Sequence, residues 1–298
     1  MKSFGSIKCL AFLALAAAAY AVQDPLLLRR ELKEGTTEKY KIESVVKQLV
    51  DAPSFGEQDL IVTTVSTCDV KFGKIDPEKK NAEIETTTKV EKLSMEGALA
   101  AMLGQTPKPP EPKTEKGTLD AHGKIVMVKD PNAKKMSSMP GMDMLPGLEM
   151  AGSAASLLAF MELPENPVKI GDSWDLALPA SLGAGTPGVK DPKMTVKLVG
   201  EKDLDGRAVY VFATTGSFKL DMDTSKMPKK EGEAPPQFGD VKMTGSADLV
   251  GEALVDKSTG QTIAHTMKAQ NKTKVYLSAM GMEIPVNGTI DTTLKLQK

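Results

Sequence analysis

The chain has 298 residues, with 38 Lys and Arg against 39 Asp and Glu, two histidines, two cysteines and 4% aromatic residues. That near-neutral balance excludes the basic footprint of a nucleic-acid binder and a polybasic membrane patch, and two cysteines exclude a disulfide-stapled scaffold. Few aromatics with plentiful Thr, Val and Lys suit extended strands that have one wet face.

Residues 1–21 read as an export signal: Lys2 and Lys8 form a positive head, Cys9–Ala19 is an apolar run, and Ala19-Tyr20-Ala21 is a cleavage site. The run is too short to span a bilayer, and Cys9 lies early in it, outside the context of an acylated cysteine. Cleavage near Ala21 implies a secreted or periplasmic protein with 36 basic and 39 acidic residues, a net charge of −3. No second apolar stretch of about 18 residues follows, so no stable membrane insertion is expected. What remains is long enough for one large β domain or two smaller lobes.

Leu26–Leu32 is a short apolar lead-in, helical or extended. Strands are predicted over Thr37–Val50 and Leu60–Phe72, separated by the turn cluster Asp51–Gly56. In the second strand Leu60, Val62, Thr64, Ser66, Cys68, Val70 and Phe72 share one face. Cys68 therefore points into the core as a small hydrophobe and not outward as a nucleophile. Ala82–Leu93 alternates too, with Ile84, Thr86, Thr88 and Val90 opposite Glu85, Lys89 and Glu91. Ser94–Leu103 then shifts to helical spacing through Met95, Leu99, Met102 and Leu103.

Thr106–Lys116 is rich in proline and reads as a stiff, exposed connector. A hairpin follows, Thr118–Asp120 with Lys124–Lys129 around Ala121-His122-Gly123. Lys134–Met150 carries Met136, Met139, Met142, Met144 and Met150 with two Pro-Gly pairs, and Ala151–Phe160 returns to a helical, small-residue pattern.

Leu163–Trp174 holds the single tryptophan and joins two strand-rich halves. Pro164 and Pro167 forbid continuation of the preceding segment as a helix. Gly171-Asp172 supplies a turn, and Trp174 opens a new strand. The expected division is a signal at 1–21, an N-terminal β meander over 22–162 carrying the Pro-rich and Met-rich insertions, and a C-terminal β meander over 163–298. Strands are predicted at Ser173–Leu178, Lys193–Val199 and Arg207–Leu220, the last two joined by a tight turn at Asp203–Gly206. Met222–Phe238 is a second Pro/Lys/Glu-rich insertion.

Val241–Val255, Gln261–Leu277 and Glu283–Gln297 complete the meander, with turns at Asp256–Gly260 and Ser278–Gly281. At roughly 3.3 Å per residue, the first of these would reach close to 50 Å, so it must coil or bulge. Gly245, Gly251 and Gly288 are the places to bend. The expected fold is mainly β: a long curved antiparallel sheet, half-barrel or barrel-like, built from two meanders with one or two short covering helices.

The chemistry is sparse. His122 occupies a turn where tolerance of positive φ is wanted, and His265 shares a strand face with Ile263, Met267 and Ala269. Nothing at ligand spacing accompanies either, so no metal site and no cofactor are expected. No nucleophile elbow is present, and a non-enzyme is expected. Asp221–Ser225 opens like a calcium loop, but Lys226 stands where Gly is needed and Gly232 where Glu is needed. The methionine set Met136, Met139, Met142, Met144 and Met150 suits an apolar flap over the sheet's mouth. Its thioethers would also suit Cu(I). The reading that follows is an exported, non-catalytic envelope protein binding an apolar small molecule or an envelope-protein partner on its curved sheet. The alternatives are a structural or interaction protein with a filled core, and Cu(I) binding through the Met-rich loop.

Leu163-Pro164, Val168-Lys169-Ile170-Gly171-Asp172-Ser173-Trp174, the hairpin Asp256–Gly260 and the turn Asp120–Ile125 together form a pattern. In it the chain resembles an uncharacterised family of exported bacterial β-rich proteins with a central Leu-Pro…Val-Lys-x-Gly-Asp-x-Trp motif. The resemblance implies export and a β fold; it implies no reaction, and no catalytic residues carry over.

Overall fold

The computed structural model describes residues 24–52, 56–103, 108–128, 161–177, 188–226 and 240–297. Its strands are β1 (Thr37–Ala52), β2 (Gly56–Asp76), β3 (Asn81–Glu96), β4 (Lys113–Asp120) and β5 (Ile125–Met127), then β6 (Ser173–Leu176), β7 (Val189–Leu204), β8 (Arg207–Asp223), β9 (Val241–Asp256), β10 (Thr262–Leu277) and β11 (Met282–Leu296). A short α-helix, α1 (Ala98–Leu103), follows β3 and packs Leu99 and Ala100 on the core, and a single 3-10 turn (Thr224–Lys226) follows β8 among the described residues. All eleven strands form one antiparallel sheet in the order β5-β4-β3-β2-β1-β11-β10-β9-β8-β7-β6. The first and last strands thus meet at its centre, and the two meanders run outward to β5 and β6. Both edges are short, three and four residues, which limits pairing with other chains.

Directly paired residues share a face, so the register builds continuous rows across the inner side. One row runs Val62, Val46, Ile290, Ala269, Leu249, Gly216 and Met194. Charged residues such as Lys47, Lys268 and Glu252 face out. The two-residue period breaks where a bulge demands it. Val65 pairs with Lys92 but Ser66 with Val90, so Glu91 is an extra residue and Val90 and Leu93 both point inward. Pairing then continues to Glu96, and α1 starts later than the helical spacing from Ser94 suggests, because Ser94–Glu96 are held by Ile61–Thr63. Other bounds shift for the same reason. β4 begins at Lys113, opposite Thr88, so the proline connector ends at Pro112. β8 extends to Asp223, and Asp221 is a strand residue paired with Thr244 and bonded to Lys190. Leu26–Leu32 is not helical and makes an isolated bridge from Leu26 to Val168.

The bends arise without bulges at the expected glycines, since the ladders pass Gly245, Gly251 and Gly288 unbroken. A Cβ on Gly245 would overlap the Lys272 carbonyl and stand 2.8 Å from Thr273 Cα, and one on Gly251 would lie 2.8 Å from the Thr266 carbonyl oxygen. Close backbone approach therefore coils the sheet. Between β9 and β10 the bulge is instead at Ile263, between the pairs of Thr262 and Ala264, which takes Ile263 out of the His265 row, and β7 shifts register against β8 twice more, between Lys190 and Lys193 and between Leu198 and Gly200.

The joint also sets the curl. Leu163 N–H bonds the His122 carbonyl in the β4–β5 turn, and Gly171 N–H bonds Leu198 of β7. These two residues are eight positions apart and reach at most about 28 Å. β4 and β7 stand eight places apart and would be about 38 Å apart in a flat sheet. The sheet must curl to bring them within reach.

Candidate functional site

Two ends of the curled sheet differ. At one end the N-terminal strap (24–33) and the joint cross the strand ends. Leu26 and Val168 exchange backbone hydrogen bonds at 2.7 and 3.0 Å, Arg30 N–H bonds Ala121 O, and Glu31 N–H bonds Thr259 O. Gly260 and Gly123 admit this approach, both at positive φ: a Cβ on Gly123 would meet Met161 O at 2.9 Å. The joint residues each hold a piece of the crossing. The Pro164 carbonyl accepts from Arg29 at 3.1 Å. Gly171, at φ 99°, turns the chain. Asp172 Oδ2 accepts from Lys169 N–H at 2.8 Å, while its carbonyl accepts from Leu198. Trp174 Nε1 donates to Glu162 O at 3.2 Å, and its ring meets Phe212 edge-on at 5.9 Å. Burial pushes the Glu162 carboxyl above its ordinary range, partly offset by Lys124. Leu28, Met161, Leu163 and Val168 pack here on Val196, Leu198, Phe212 and Val255.

Beneath the strap lies a buried polar group. The Arg30 guanidinium, 6% exposed, bonds Glu38, and the Tyr40 hydroxyl donates to the same Glu38 oxygen at 2.5 Å. Arg30 also stands 5.8 Å over the Phe72 ring, and its Nε has no partner. Burial pushes the Tyr40 phenol well above its usual range, reinforced by Glu38 and opposed by Arg30. This cluster ties the strap to β1 and β2. Beside it, a cavity of about 220 Å³ opens between the strap and strands β8 and β9.

The other end is apolar and separate. Met243, Val275, Leu277 and Val286 form their own cluster on the inner face, extended by the partly buried Val50, Leu220, Met222, Val241 and Ile284. The row Gln48, Gly288, Asn271 and Ala247, small or polar, divides it from the main core. Midway along the inner face runs a hydroxyl stripe: Thr64, Ser44 and Thr292 are neighbours, and Ser44 and Thr292 are 3.2 Å apart.

His122 donates its backbone N–H to Asp120 Oδ1, but positive φ belongs to its neighbour Gly123, which corrects the role expected for His122. His265 is 2% exposed between Ala253 and Leu294. Cys68 is fully buried between Tyr40 and Thr88; burial pushes its thiol up to about 11, against a smaller lowering by Thr88. Among the described residues no group of three or more His, Cys, Asp or Glu is placed to hold a metal ion, and no helix is long and apolar enough to cross a membrane. Met136, Met139, Met142, Met144 and Met150, the export signal and the helical pattern at Ala151–Phe160 lie outside the described residues. Arg29 and Arg30 were not singled out from the sequence; the only signal was a charged pair inside an apolar lead-in.

No protein-family model and no curated protein matches the chain. Among solved structures, it is similar to one of lipid–protein interactions in lipovitellin, with a TM-score of 0.44 and 10% identity over 90% of this chain and 26% of that one. This chain thus spans about a quarter of the lipovitellin chain. It is similar to a putative exported protein with a YmcC-like fold from Bacteroides fragilis, TM-score 0.21 and 10% identity over 92% of this chain and 99% of that one. A LolA superfamily protein from Nitrosomonas europaea gives a TM-score of 0.14 and 8% identity over 90% and 89% of the two chains.

Proposed function

We propose that this chain is an exported, non-catalytic envelope protein that binds an apolar ligand, or the apolar surface of an envelope partner, on the inner face of its curved sheet. The observation that carries the reading is the second apolar cluster. Val50, Leu220, Met222, Val241 and Ile284 remain only partly buried at the end of the sheet away from the strap. Full burial of an exposed side chain of this kind is worth about 1.5–3 kcal/mol, and the part of that still unrealised at these partly buried positions gives a bound hydrocarbon its affinity. We place residues 1–21 as the signal that delivers the chain to the envelope, and the central motif as the mark of the exported family it resembles.

The test is native mass spectrometry of protein purified without detergent, with titration of the neutral apolar fluorophore N-phenylnaphthylamine. A copurifying apolar species, or saturable probe binding lost in Leu220→Lys, is the expected result. A ligand-free chain that binds no probe would refute the reading and leave a filled-core interaction protein.

A further inference from the structure

The cavity under the strap has features the apolar end lacks. Its wall is apolar: Leu28 and Leu163 from the crossing segments face Tyr210, Phe212 and Val255 of the sheet. Its rim carries charge from Arg29, Asp256 and Lys257. Two of these are already engaged. Asp256 Oδ1 accepts from Ser258 N–H, Thr259 N–H and the Ser258 hydroxyl at 2.8, 3.0 and 2.5 Å. Lys257 Nζ bonds Glu201 at 2.5 Å and sits 5.1 Å over the Tyr210 ring.

Arg29 is different. Its guanidinium donates to three carbonyl oxygens, those of Leu28 at 2.6 Å, Pro164 at 3.1 Å and Glu165 at 2.8 Å. No ion pair joins it to a carboxylate among the described residues. Of its five N–H donors, two therefore remain, the number that a carboxylate or phosphate oxygen pair engages. Carbonyl dipoles hold the fork in place but leave its full charge uncancelled beside an apolar wall. That is the arrangement for an ion with a hydrocarbon tail.

We infer that this cavity binds a small amphipathic anion, its carboxylate or phosphate head on Arg29 and its short tail against Phe212 and Val255. At about 220 Å³ the cavity is smaller than the usual 300–1,000 Å³ of drug-sized sites, so the tail is short or only its end enters. Lys257 adds a second positive charge at the rim, paired with Glu201, while the negative charge of Asp256 is turned to the Ser258 and Thr259 donors of its own turn. The site goes beyond the proposed function, since it lies at the opposite end of the sheet from the partly buried apolar cluster.

Trp174 packs on Phe212 and reports on the wall, so intrinsic fluorescence can follow binding to the full chain. The probes are octanoate, octyl phosphate, octanol and inorganic phosphate, each at low and high salt. Octanoate or octyl phosphate is expected to saturate at least tenfold more tightly than octanol, with the advantage shrinking in salt. Arg29→Gln should abolish that advantage and leave octanol unchanged, while Arg29→Lys retains part of it. Because Arg29 also braces the joint, Lys257→Gln serves as a second variant, expected to weaken only the anions by two- to threefold. The two anions compared with each other separate a carboxylate from a phosphate preference. Octanol binding as tightly as both anions would overturn the inference, as would inorganic phosphate matching octyl phosphate or an undiminished preference in Arg29→Gln. Loss of the anion preference with N-phenylnaphthylamine binding intact defeats this site alone; loss of the neutral probe bears on the proposed function instead.

Discussion

If close backbone approach at glycine coils the sheet, Gly245→Ala should lower stability and Gly200→Ala should not. At Gly245 the new methyl would stand 2.8 Å from Thr273 Cα and nearer still to the Lys272 carbonyl oxygen. Ordinary carbon contacts lie at about 3.5–4.0 Å, so β9 and β10 must separate locally by about 1 Å. Both obstacles are backbone, so no side chain can swing aside. Overpacking of this kind costs about 1–3 kcal/mol, and the gain from replacing a strand glycine returns only about 0.5–1 kcal/mol. Because both contacts are backbone, the upper end of that cost applies, and a net loss of about 2 kcal/mol follows, or roughly 3–4 °C in Tm for a chain of this size. At Gly200, on β7, a Cβ meets nothing within 4 Å and φ is not in the left-handed region. That substitution should be neutral or stabilise by up to about 1 kcal/mol. Urea titrations followed by Trp174 fluorescence measure both. A Gly245→Ala variant as stable as its parent, or two variants moving together, would refute the account of curvature.

Three further outcomes are expected. Arg30→Leu should cost about 3–5 kcal/mol because Glu38 stays buried without its partner, and the Arg30→Leu/Glu38→Leu double variant should recover most of that loss; urea midpoints that do not recover would remove the coupling. With Cys9 replaced by Ser, Cys68 should react with a disulfide reagent at pH 8 about a hundredfold or more slowly in the native protein than in urea, since its buried thiol sits near 11; comparable rates would contradict its placement. For Asp256, burial pulls the carboxyl upward, but the Ser258 hydroxyl and the turn N–H groups hold it below its ordinary range. A lowered folded value stabilises above the unfolded pKa of about 3.9, and that contribution is lost as pH falls through the folded value. Asp256→Asn should therefore cost about 1 kcal/mol at pH 7 and flatten the fall in Tm below about pH 5; parallel curves for parent and variant would show that the carboxylate does not act this way.

The C-terminal strands were legible almost residue by residue. Val241–Val255, Gln261–Leu277 and Glu283–Gln297 became Val241–Asp256, Thr262–Leu277 and Met282–Leu296. The β7–β8 turn was equally plain, with Asp205 and Gly206 both at positive φ. Alternation and turn chemistry are local, so a single strand displays them. The bulge at Glu91 and the early start of β4 at Lys113 were hidden, because a partner strand imposes them. The candidate cavity was hidden too: Arg29 stood out only as a charge in an apolar run, while its partners Pro164 and Glu165 lie over a hundred residues away.

The amino-acid order alone thus determined which side of the regularly alternating strands faces inward, where most turns fall, and that Cys68 is shielded; the bulges at Glu91 and Ile263 shifted that side locally. Tertiary structure decided that β1 lies against β11, that the edges fall at β5 and β6, and that strap and joint cross at one end. The reason is physical. Side-chain period selects a face, but backbone ladders accept any strand of matching length as neighbour, so the order of strands is chosen only when the whole sheet curls and its ends are tied.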